Sequence, residues 1–242
     1  MTATGNSKGT VTPEGPRLTG RVLSLAAFSL LPAVVVFGCA GSTRWAAGWA
    51  YVSTLWIATV GTRLLVMRFE PKLVAERASS VRREDVAVWD RLILPMIALV
   101  GPLASWILAG LSFRFGWLGG LPVVVSVAAL GVFIAGSALV TWAMLTNPFF
   151  SAVARIQHDR EQAVVSRGPY RFVRHPGYLG MLVANLATPI LLDAPWTFVP
   201  IVVVVVLIVL RTALEDRMLR AELSGYAQYA RSTPTRLVPL VW

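Results

Sequence analysis

The chain reads GPYRFVRHPGYLG from Gly168 to Gly180, a short polar island between apolar segments. It contains two prolines, two arginines and one of the two histidines of the chain. Non-helical backbone at the edge of a membrane must find its hydrogen-bond partners in protein, water or a ligand. A second polar cluster, Arg211 to Leu219, follows after one more pair of apolar segments. Two polar clusters at the ends of an apolar hairpin predict one pocket at the membrane surface.

The composition outside these clusters is that of an integral membrane protein. Of 242 residues, 56% are hydrophobic and 14% are charged, whereas a soluble domain carries roughly 25% charged residues. A membrane-spanning helix needs about 20 apolar residues. Four segments reach that length: Val22 to Ala40, Trp45 to Met67, Leu92 to Leu111 and Leu121 to Leu145.

Two further apolar pieces lie between Tyr178 and Leu210, and Asp193-Ala194-Pro195 separates them. We interpret them as a helical hairpin whose second helix continues to about Leu223. The predicted fold is therefore an all-α integral membrane protein of about six hydrophobic helices. The last two form a hairpin beside a cytoplasm-facing cofactor pocket. Residues 18–242 are predicted to form one membrane domain, with the chemistry in residues 146–242 and a disordered tail in residues 1–17.

The net charge of +10 is distributed in a pattern typical of membrane topology. Arginine and lysine cluster before the first span, in the two longest connections and in the C-terminal tail, while the intervening connections hold at most one each. Positive loops stay on the cytoplasmic side, so both termini and the pocket are predicted to be cytoplasmic, in a bacterial inner membrane. A nucleic-acid partner would need one contiguous basic face with stacking aromatics, and we predict none.

Local features refine this picture. Pro148 disfavours helix at Asn147 and is expected to end the fourth span there. The polar connection between Phe69 and Asp90 alternates charged and apolar residues, so an amphipathic helix on the cytoplasmic face is expected. Arg63 lies inside an apolar segment, and we expect its side chain to extend to the membrane surface.

The two polar clusters resemble a known family. The pattern Gly-x-Tyr-x-x-x-Arg-His-Pro-x-Tyr-x-Gly of residues 168–180 is followed by Glu215-Asp216-Arg217-Met218-Leu219, with Asp216 where the family has a second glutamate. The tail, with Tyr226, Tyr229 and the stretch from Thr235 to Pro239, is similar to the family's ending. These motifs resemble the isoprenylcysteine carboxyl methyltransferase family over roughly residues 147–242.

The resemblance implies a membrane methyltransferase that uses S-adenosyl-L-methionine. It assigns Arg211 to the carboxylate of a lipophilic, isoprenylcysteine-like substrate that enters from the membrane lipids. The cofactor-binding residues that it implies are Gln157, Gln162, Ala163, Val164, Val165, Tyr170, His175, Pro176, Gly177, Tyr178 and Glu215.

The residues themselves agree with this chemistry. A buried Glu215 can pair with a cationic group of the cofactor, and Tyr170 or Tyr178 can stack on its adenine or its sulfonium. Arg211 and Glu215 lie at positions i and i+4 and share one helix face, where an ordinary salt bridge between them is the simpler alternative. Methylation of a carboxylate needs no general base, because the nucleophile is already ionised near neutral pH. His175 is then a loop residue and not a base.

Other functions remain open at this point. Phospholipid N-methyltransferases and thiol S-methyltransferases share such a pocket, membrane sterol reductases use a similar one for NADPH, and a non-catalytic protein could keep the fold. A Rossmann-type methyltransferase is excluded because no Gly-x-Gly-x-x-Gly follows a strand. Cys39 is the only cysteine, and His158 and His175 are the only histidines, so we predict no metal.

Overall fold

The structure is a computed structural model that describes residues 18–80, 85–238 and 242, and within these ranges it is helical and contains no strand. The predicted disordered tail lies outside the described residues. The helices are α1 (Leu18–Ala40), α2 (Ala46–Phe69), α3 (Pro71–Ser80), α4 (Asp90–Phe115), α5 (Val123–Thr146), α6 (Pro176–Leu191), α7 (Phe198–Glu222) and α8 (Tyr226–Ser232).

Four of these helices are long and apolar enough to cross a membrane: α2, α4, α5 and α7 together with the short turn that precedes it. Shorter apolar helices are formed by Ser29–Ala40 in α1 and by α6. Over the described residues the protein is therefore all-α, and its apolar helices are those of an integral membrane protein. As predicted, α5 ends directly before Asn147, and the connection that follows α2 contains a helix, α3.

Helix α4 contains one turn of π-helix, from Met96 to Val100. Pro95 lies directly before this turn and Pro102 directly after Gly101, and a proline has no N–H to donate to the helical ladder. Single π-helical turns inside α-helices are frequent at functional sites. Two residues of this turn line the cavity described below.

Helices α5 and α6 approach each other through glycine. A Cβ on Gly180 would lie 2.5 Å from the carbonyl oxygen of Gly136, and a Cβ on Gly136 would lie 2.7 Å from that of Gly180. Small residues at a crossing let two membrane helices pack backbone to backbone. Helices α1 and α4 use the same device, because a Cβ on Gly110 would lie 2.5 Å from the carbonyl oxygen of Val36.

At one end of the bundle, Asp193 links the connection between α6 and α7 to the connection before α5. Its carboxylate accepts hydrogen bonds from the backbone N–H groups of Gly120 (2.9 Å) and Leu121 (3.1 Å), just before α5. The other end of the bundle carries α3, α8 and the long connection of residues 147–175. All residues that the sequence predicted for the site lie at this second end.

Candidate functional site

The connection between α5 and α6 is fixed by backbone geometry and by the C-terminal tail. Gly168 has φ +58°, a left-handed conformation that glycine adopts without strain. The backbone N–H groups of Arg174 and His175 donate to the carbonyls of Thr235 and Arg236, each at 3.0 Å. The tail therefore holds the Arg-His-Pro turn directly before α6 begins at Pro176.

Asp216 is the electrostatic centre of this end of the protein. It is 1% exposed, and its carboxylate accepts hydrogen bonds from the guanidinium groups of Arg174 (2.7 Å), Arg220 (3.0 Å) and Arg236 (3.0 Å). The Tyr226 hydroxyl donates to the same carboxylate at 2.9 Å. A buried carboxylate keeps its charge only when it is paired and hydrogen-bonded, so Asp216 joins α7, α8, the tail and the Arg-His-Pro turn.

His175 lies beside this centre. Its Nε2 is 3.5 Å from a carboxylate oxygen of Asp216 and 3.4 Å from the Tyr226 hydroxyl, and its ring stacks on that of Tyr178 with centroids 5.7 Å apart. Burial and the neighbouring Asp216 raise the pKa of Tyr226, so its hydroxyl remains a donor. These contacts orient the imidazole.

A cavity of about 500 Å³ opens between this turn, α4, α7 and α8; ligand sites typically measure roughly 300–1,000 Å³. Gly177 lies against the ring of Phe150 so closely that a Cβ would be 2.7 Å from it. Every predicted site residue lines the cavity except Pro176, the first residue of α6. The predicted residues on the wall are Gln157, Gln162, Ala163, Val164, Val165, Tyr170, His175, Gly177, Tyr178, Arg211 and Glu215.

Glu215 presents an unmatched negative charge to this cavity. Its carboxylate accepts a hydrogen bond from the Tyr178 hydroxyl. Within the part of the chain that the structure describes, it forms no ion pair. The salt bridge between Arg211 and Glu215, the simpler alternative considered above, is therefore absent from the described residues.

Arg211 is instead paired with Asp90, the first residue of α4. Its Nε and Nη2 donate to the two carboxylate oxygens of Asp90 at 2.7 and 2.9 Å. Nη2 also donates to the carbonyl of Ala152 at 2.9 Å, and Asp90 accepts the N–H of Ala154 at 2.7 Å. The edge of the guanidinium that binds a carboxylate bidentately is thus occupied. Among the described residues only Nη1 remains without a hydrogen bond.

The two predicted glutamines stabilise the shape of the loop. The Gln162 side-chain oxygen accepts the backbone N–H of Gln157 at 2.8 Å. The Gln157 amide donates to the carbonyl of Phe149 at 2.7 Å and accepts from Arg160 at 2.6 Å. Their polar atoms are largely used within the loop, and Val164 and Val165 pack with Tyr226 and Tyr229 as an apolar wall.

A second ion cluster fastens this loop to α3. The buried Arg155 pairs with Glu76 (2.8 Å), Asp85 (2.7 Å) and Asp159 (3.0 Å). Burial alone would lower the pKa of Arg155, but hydrogen bonds to Asp159 and Glu76 raise it. The guanidinium therefore stays charged on the cavity wall.

Sequence reasoning missed the residues that organise the site from a distance. Asp90 was interpreted only as the end of a polar connection, Asp216 as a replaced motif residue and Arg174 as motif context. A signal was available for Asp90 and Asp216, since each is an acidic residue beside an apolar helix, where a charge needs a partner. The identity of each partner was not readable from spacing.

The comparisons with known proteins concern this part of the chain. The sequence model of the isoprenylcysteine carboxyl methyltransferase (ICMT) family matches residues 129–221. Two relatives named "Probable protein-S-isoprenylcysteine O-methyltransferase", from Oryza sativa subsp. indica and subsp. japonica, are each 33% identical over 72 residues. That match covers 29% of this chain and 38% of each relative. The segment that matches the isoprenylcysteine carboxyl methyltransferase family model contributes most of α5, the site loop, α6 and nearly all of α7, and it includes the motifs from Gly168 to Gly180 and from Glu215 to Leu219 that predicted this resemblance.

Proposed function

We propose that this protein is an S-adenosyl-L-methionine-dependent methyltransferase that methylates the carboxylate of a lipophilic, isoprenylcysteine-like acceptor. The observation that carries the proposal is Glu215, a carboxylate with no ion-pair partner among the described residues, on the wall of a cavity lined by the family's motifs. Such a group is complementary to a cationic ligand. The family match supports the same reading.

The residues of the cavity fit this cofactor. The cofactor carries a sulfonium and an ammonium, for which Glu215 supplies the counter-charge, and the ring of Tyr178 beside it can contact a cation. The apolar wall of Val164, Val165 and Tyr229 suits an adenine ring. We propose that the other predicted cofactor-binding residues between Gln157 and Tyr178 form the walls of this cavity or, in the case of Pro176, fix the start of α6 beside it. When bound, the cofactor supplies a methyl group on sulfur, which a carboxylate oxygen accepts while the sulfur keeps the electron pair.

The protein's own contribution is positioning. A carboxylate is ionised near neutral pH, so no residue has to remove a proton. Arg211 is hydrogen-bonded to Asp90 and lines the cavity, and we assign its remaining Nη1 group to the orientation of one oxygen of the acceptor. Alignment of two reactants in a closed pocket lowers a barrier by up to roughly 7–11 kcal/mol. We therefore propose Arg211 as the catalytic residue. It would contact the acceptor through Nη1 alone, because Nε and Nη2 are bonded to Asp90.

A reductase is less compatible with the position of Glu215. Four arginines also line the cavity, but three of them, Arg155, Arg174 and Arg211, are paired with carboxylates. NADPH would bring several phosphate charges next to Glu215, whose carboxylate would repel them. An amine or thiol acceptor would need a base, and His175, which Asp216 and Tyr226 orient, is a candidate for it on the cavity wall. The support for a carboxylate acceptor is the family match.

The same proposal includes the wider architecture. We infer that α1 and α6 complete six hydrophobic helices, that α6 and α7 form the predicted hairpin, and that residues 18–242 are one domain. The cavity and both termini face the cytoplasm of a bacterium, where the cofactor is made. The alternation of basic connections along the chain supports this orientation.

Incubation of membranes containing the protein with isotope-labelled S-adenosyl-L-methionine tests the proposal. We expect mass spectrometry to find the label as a methyl ester on a lipid-soluble carboxylic acid, and mild base to release it. Label in an amine or thioether would contradict the acceptor class. Binding of NADPH without binding of S-adenosyl-L-methionine to the purified protein would contradict the methyltransferase itself.

A further inference from the structure

The tail that follows α8, described as residues 233–238 and 242, lies beside the cofactor cavity. No residue in these ranges lines the cavity wall. The tail nevertheless binds or packs close to several residues that do. Any effect of the tail on a ligand in the cavity must therefore pass through those residues.

The main chain of the tail fixes the turn before α6. It accepts the backbone N–H groups of Arg174 and His175, as described above. In addition, Nη1 of Arg174 donates to the carbonyls of Thr233 and Pro234, each at 2.7 Å. Arg174 and His175 both line the cavity. Because these acceptors are all main-chain carbonyls, the position of the turn follows from the path of the tail.

Leu237 anchors the tail in the core of the bundle. It is 1% exposed and belongs to a buried apolar cluster with Ile97 of α4 and Ile208 of α7. Tyr178 of α6 packs against the same cluster, and both Ile97 and Tyr178 line the cavity. A buried leucine that is shortened leaves a void into which its neighbours relax in part. The size of the side chain at position 237 therefore influences the positions of these wall residues.

Tyr178 is the wall residue through which this packing reaches the groups that face the ligand. Its hydroxyl donates to Glu215, and its ring stacks on that of His175. The guanidinium carbon of Arg211 lies 5.4 Å from the centroid of the same ring. A binding site needs its groups within roughly 0.5 Å of their productive geometry, so a small displacement of this ring is enough to weaken binding.

The tail is also fixed upon itself, which a positioning element requires. The backbone N–H groups of Arg236 and Leu237 donate to the main-chain oxygen of Trp242 at 3.1 and 3.0 Å. The Arg236 guanidinium lies 4.8 Å from the centroid of the Trp242 ring, and its Nε donates to Asp216 at 3.0 Å. Leu237 is therefore held in place from the side of the tail as well as by the cluster.

We propose that Leu237 is a positioning residue of the cofactor site, which acts through Tyr178 and does not touch the ligand. This inference rests on the proposed function and adds to it a residue outside the cavity wall. It requires that cofactor affinity depend on the size of the side chain at position 237. It also requires that an equally buried leucine elsewhere in the bundle have no such effect.

Leu192 provides the matched control. It is 0% exposed and lies at the opposite end of the bundle, in a different apolar cluster. Leu237→Ala and Leu192→Ala should both lower the melting temperature in detergent. Calorimetry with S-adenosyl-L-methionine should show at least roughly tenfold weaker binding for Leu237→Ala and less than about twofold for Leu192→Ala. Leu237→Met conserves the volume of the side chain and should bind within about threefold of the wild-type protein.

A spectroscopic measurement follows Tyr178 without any ligand. The chain has five tyrosines, so labelling with 3-fluorotyrosine gives five fluorine signals, of which Tyr178→Phe and Tyr51→Phe assign two. Leu237→Ala should move the signal of Tyr178 and leave that of Tyr51 in place. Leu192→Ala should do the reverse, because Leu192 and Tyr51 belong to the same apolar cluster. If Leu237→Ala does not fold, Leu237→Val replaces it in both measurements.

An unmoved Tyr178 signal in the folded Leu237 variant would overturn the inference. Equal losses of cofactor affinity in the Leu237 and Leu192 variants would also overturn it, because they would show a general effect of stability. Failure of the wild-type protein to bind S-adenosyl-L-methionine would instead overturn the proposed function. In that case the fluorine signal of Tyr178 still decides whether Leu237 positions the cavity wall.

Discussion

Arg211 in α7 and Asp90 at the start of α4 form a buried, bidentate ion pair between residues that are 121 positions apart. Both side chains are almost inaccessible, with 6% and 0% of their surfaces exposed. The pair connects two membrane helices beside the cavity of about 500 Å³, which Arg211 lines.

The first prediction concerns this pair. Asp90→Asn leaves the guanidinium of Arg211 buried without an anionic partner, which costs roughly 3–5 kcal/mol. Asp90→Leu combined with Arg211→Met should be less destabilising than the sum of the two single changes, because it removes both charges together. Thermal unfolding in detergent, followed by tryptophan fluorescence, measures these differences.

The same double variant separates structure from catalysis. If Nη1 of Arg211 orients the acceptor, the folded double variant should bind S-adenosyl-L-methionine normally and turn over at least 100-fold more slowly, which corresponds to about 2.7 kcal/mol. Near-normal turnover in this variant would show that Arg211 has only a structural role. Arg211→Lys should rescue turnover only in part, because an ammonium lacks the planar fork.

A second prediction concerns Asp216. Asp216→Asn removes the shared anion of Arg174, Arg220 and Arg236, so we expect a loss of roughly 3–5 kcal/mol in the free energy of unfolding. Arg220→Ala removes one partner whose side chain is 43% exposed and should cost about 1 kcal/mol or less. Similar losses in the two variants would contradict the central position of Asp216.

Cofactor affinity should depend on Glu215 and Tyr178. Glu215→Gln removes the charge that faces the cationic cofactor, and calorimetry should show at least tenfold weaker binding, or about 1.4 kcal/mol. Tyr178→Phe removes only the hydrogen bond to Glu215 and should cost roughly 0.5–1.5 kcal/mol. Glu222→Gln, an exposed residue on the same helix, serves as the control and should bind normally. A Glu215→Gln protein with full affinity would remove the main support for the proposed function.

The crossing of α5 and α6 gives a prediction about stability. Gly180→Ala places a Cβ against the backbone of α5 and should destabilise the protein by about 1–3 kcal/mol. Gly131→Ala in α5 meets no atom within 4 Å and should stabilise it by roughly 0.5–1 kcal/mol, since alanine loses less backbone entropy in a helix. Melting temperatures that shift in the same direction for both variants would contradict the proposed close crossing.

Topology can be tested by cysteine labelling, because Cys39 is the only cysteine. In a Cys39→Ala background, Lys72→Cys and Glu222→Cys at the site end should be protected from an impermeant maleimide in intact cells. Trp117→Cys at the opposite end should react. All three positions are exposed, so accessibility of the side chain does not bias the comparison. Labelling of the first two and protection of the third would place the cavity outside the cytoplasm.

The sequence by itself determined the helices and the identity of the motifs. The predicted second span, Trp45 to Met67, corresponds to α2, which runs from Ala46 to Phe69. Such segments are readable because apolar length is a local property of the chain. The motif from Gly168 to Gly180 was readable because its residues are contiguous in the sequence.

Tertiary structure alone decided which charges pair. Spacing favoured Glu215 as the partner of Arg211, one helical turn away, yet the crossing of α4 and α7 brings Asp90 to it instead. An ion pair between helices depends on how those helices cross. The crossing of α4 and α7 depends on contacts between residues that are far apart in sequence, such as Gly101, where a Cβ would collide with the side chain of Val204. In the folded bundle Arg211 pairs with Asp90. Glu215 therefore forms no ion pair with Arg211, and its carboxylate faces the cavity.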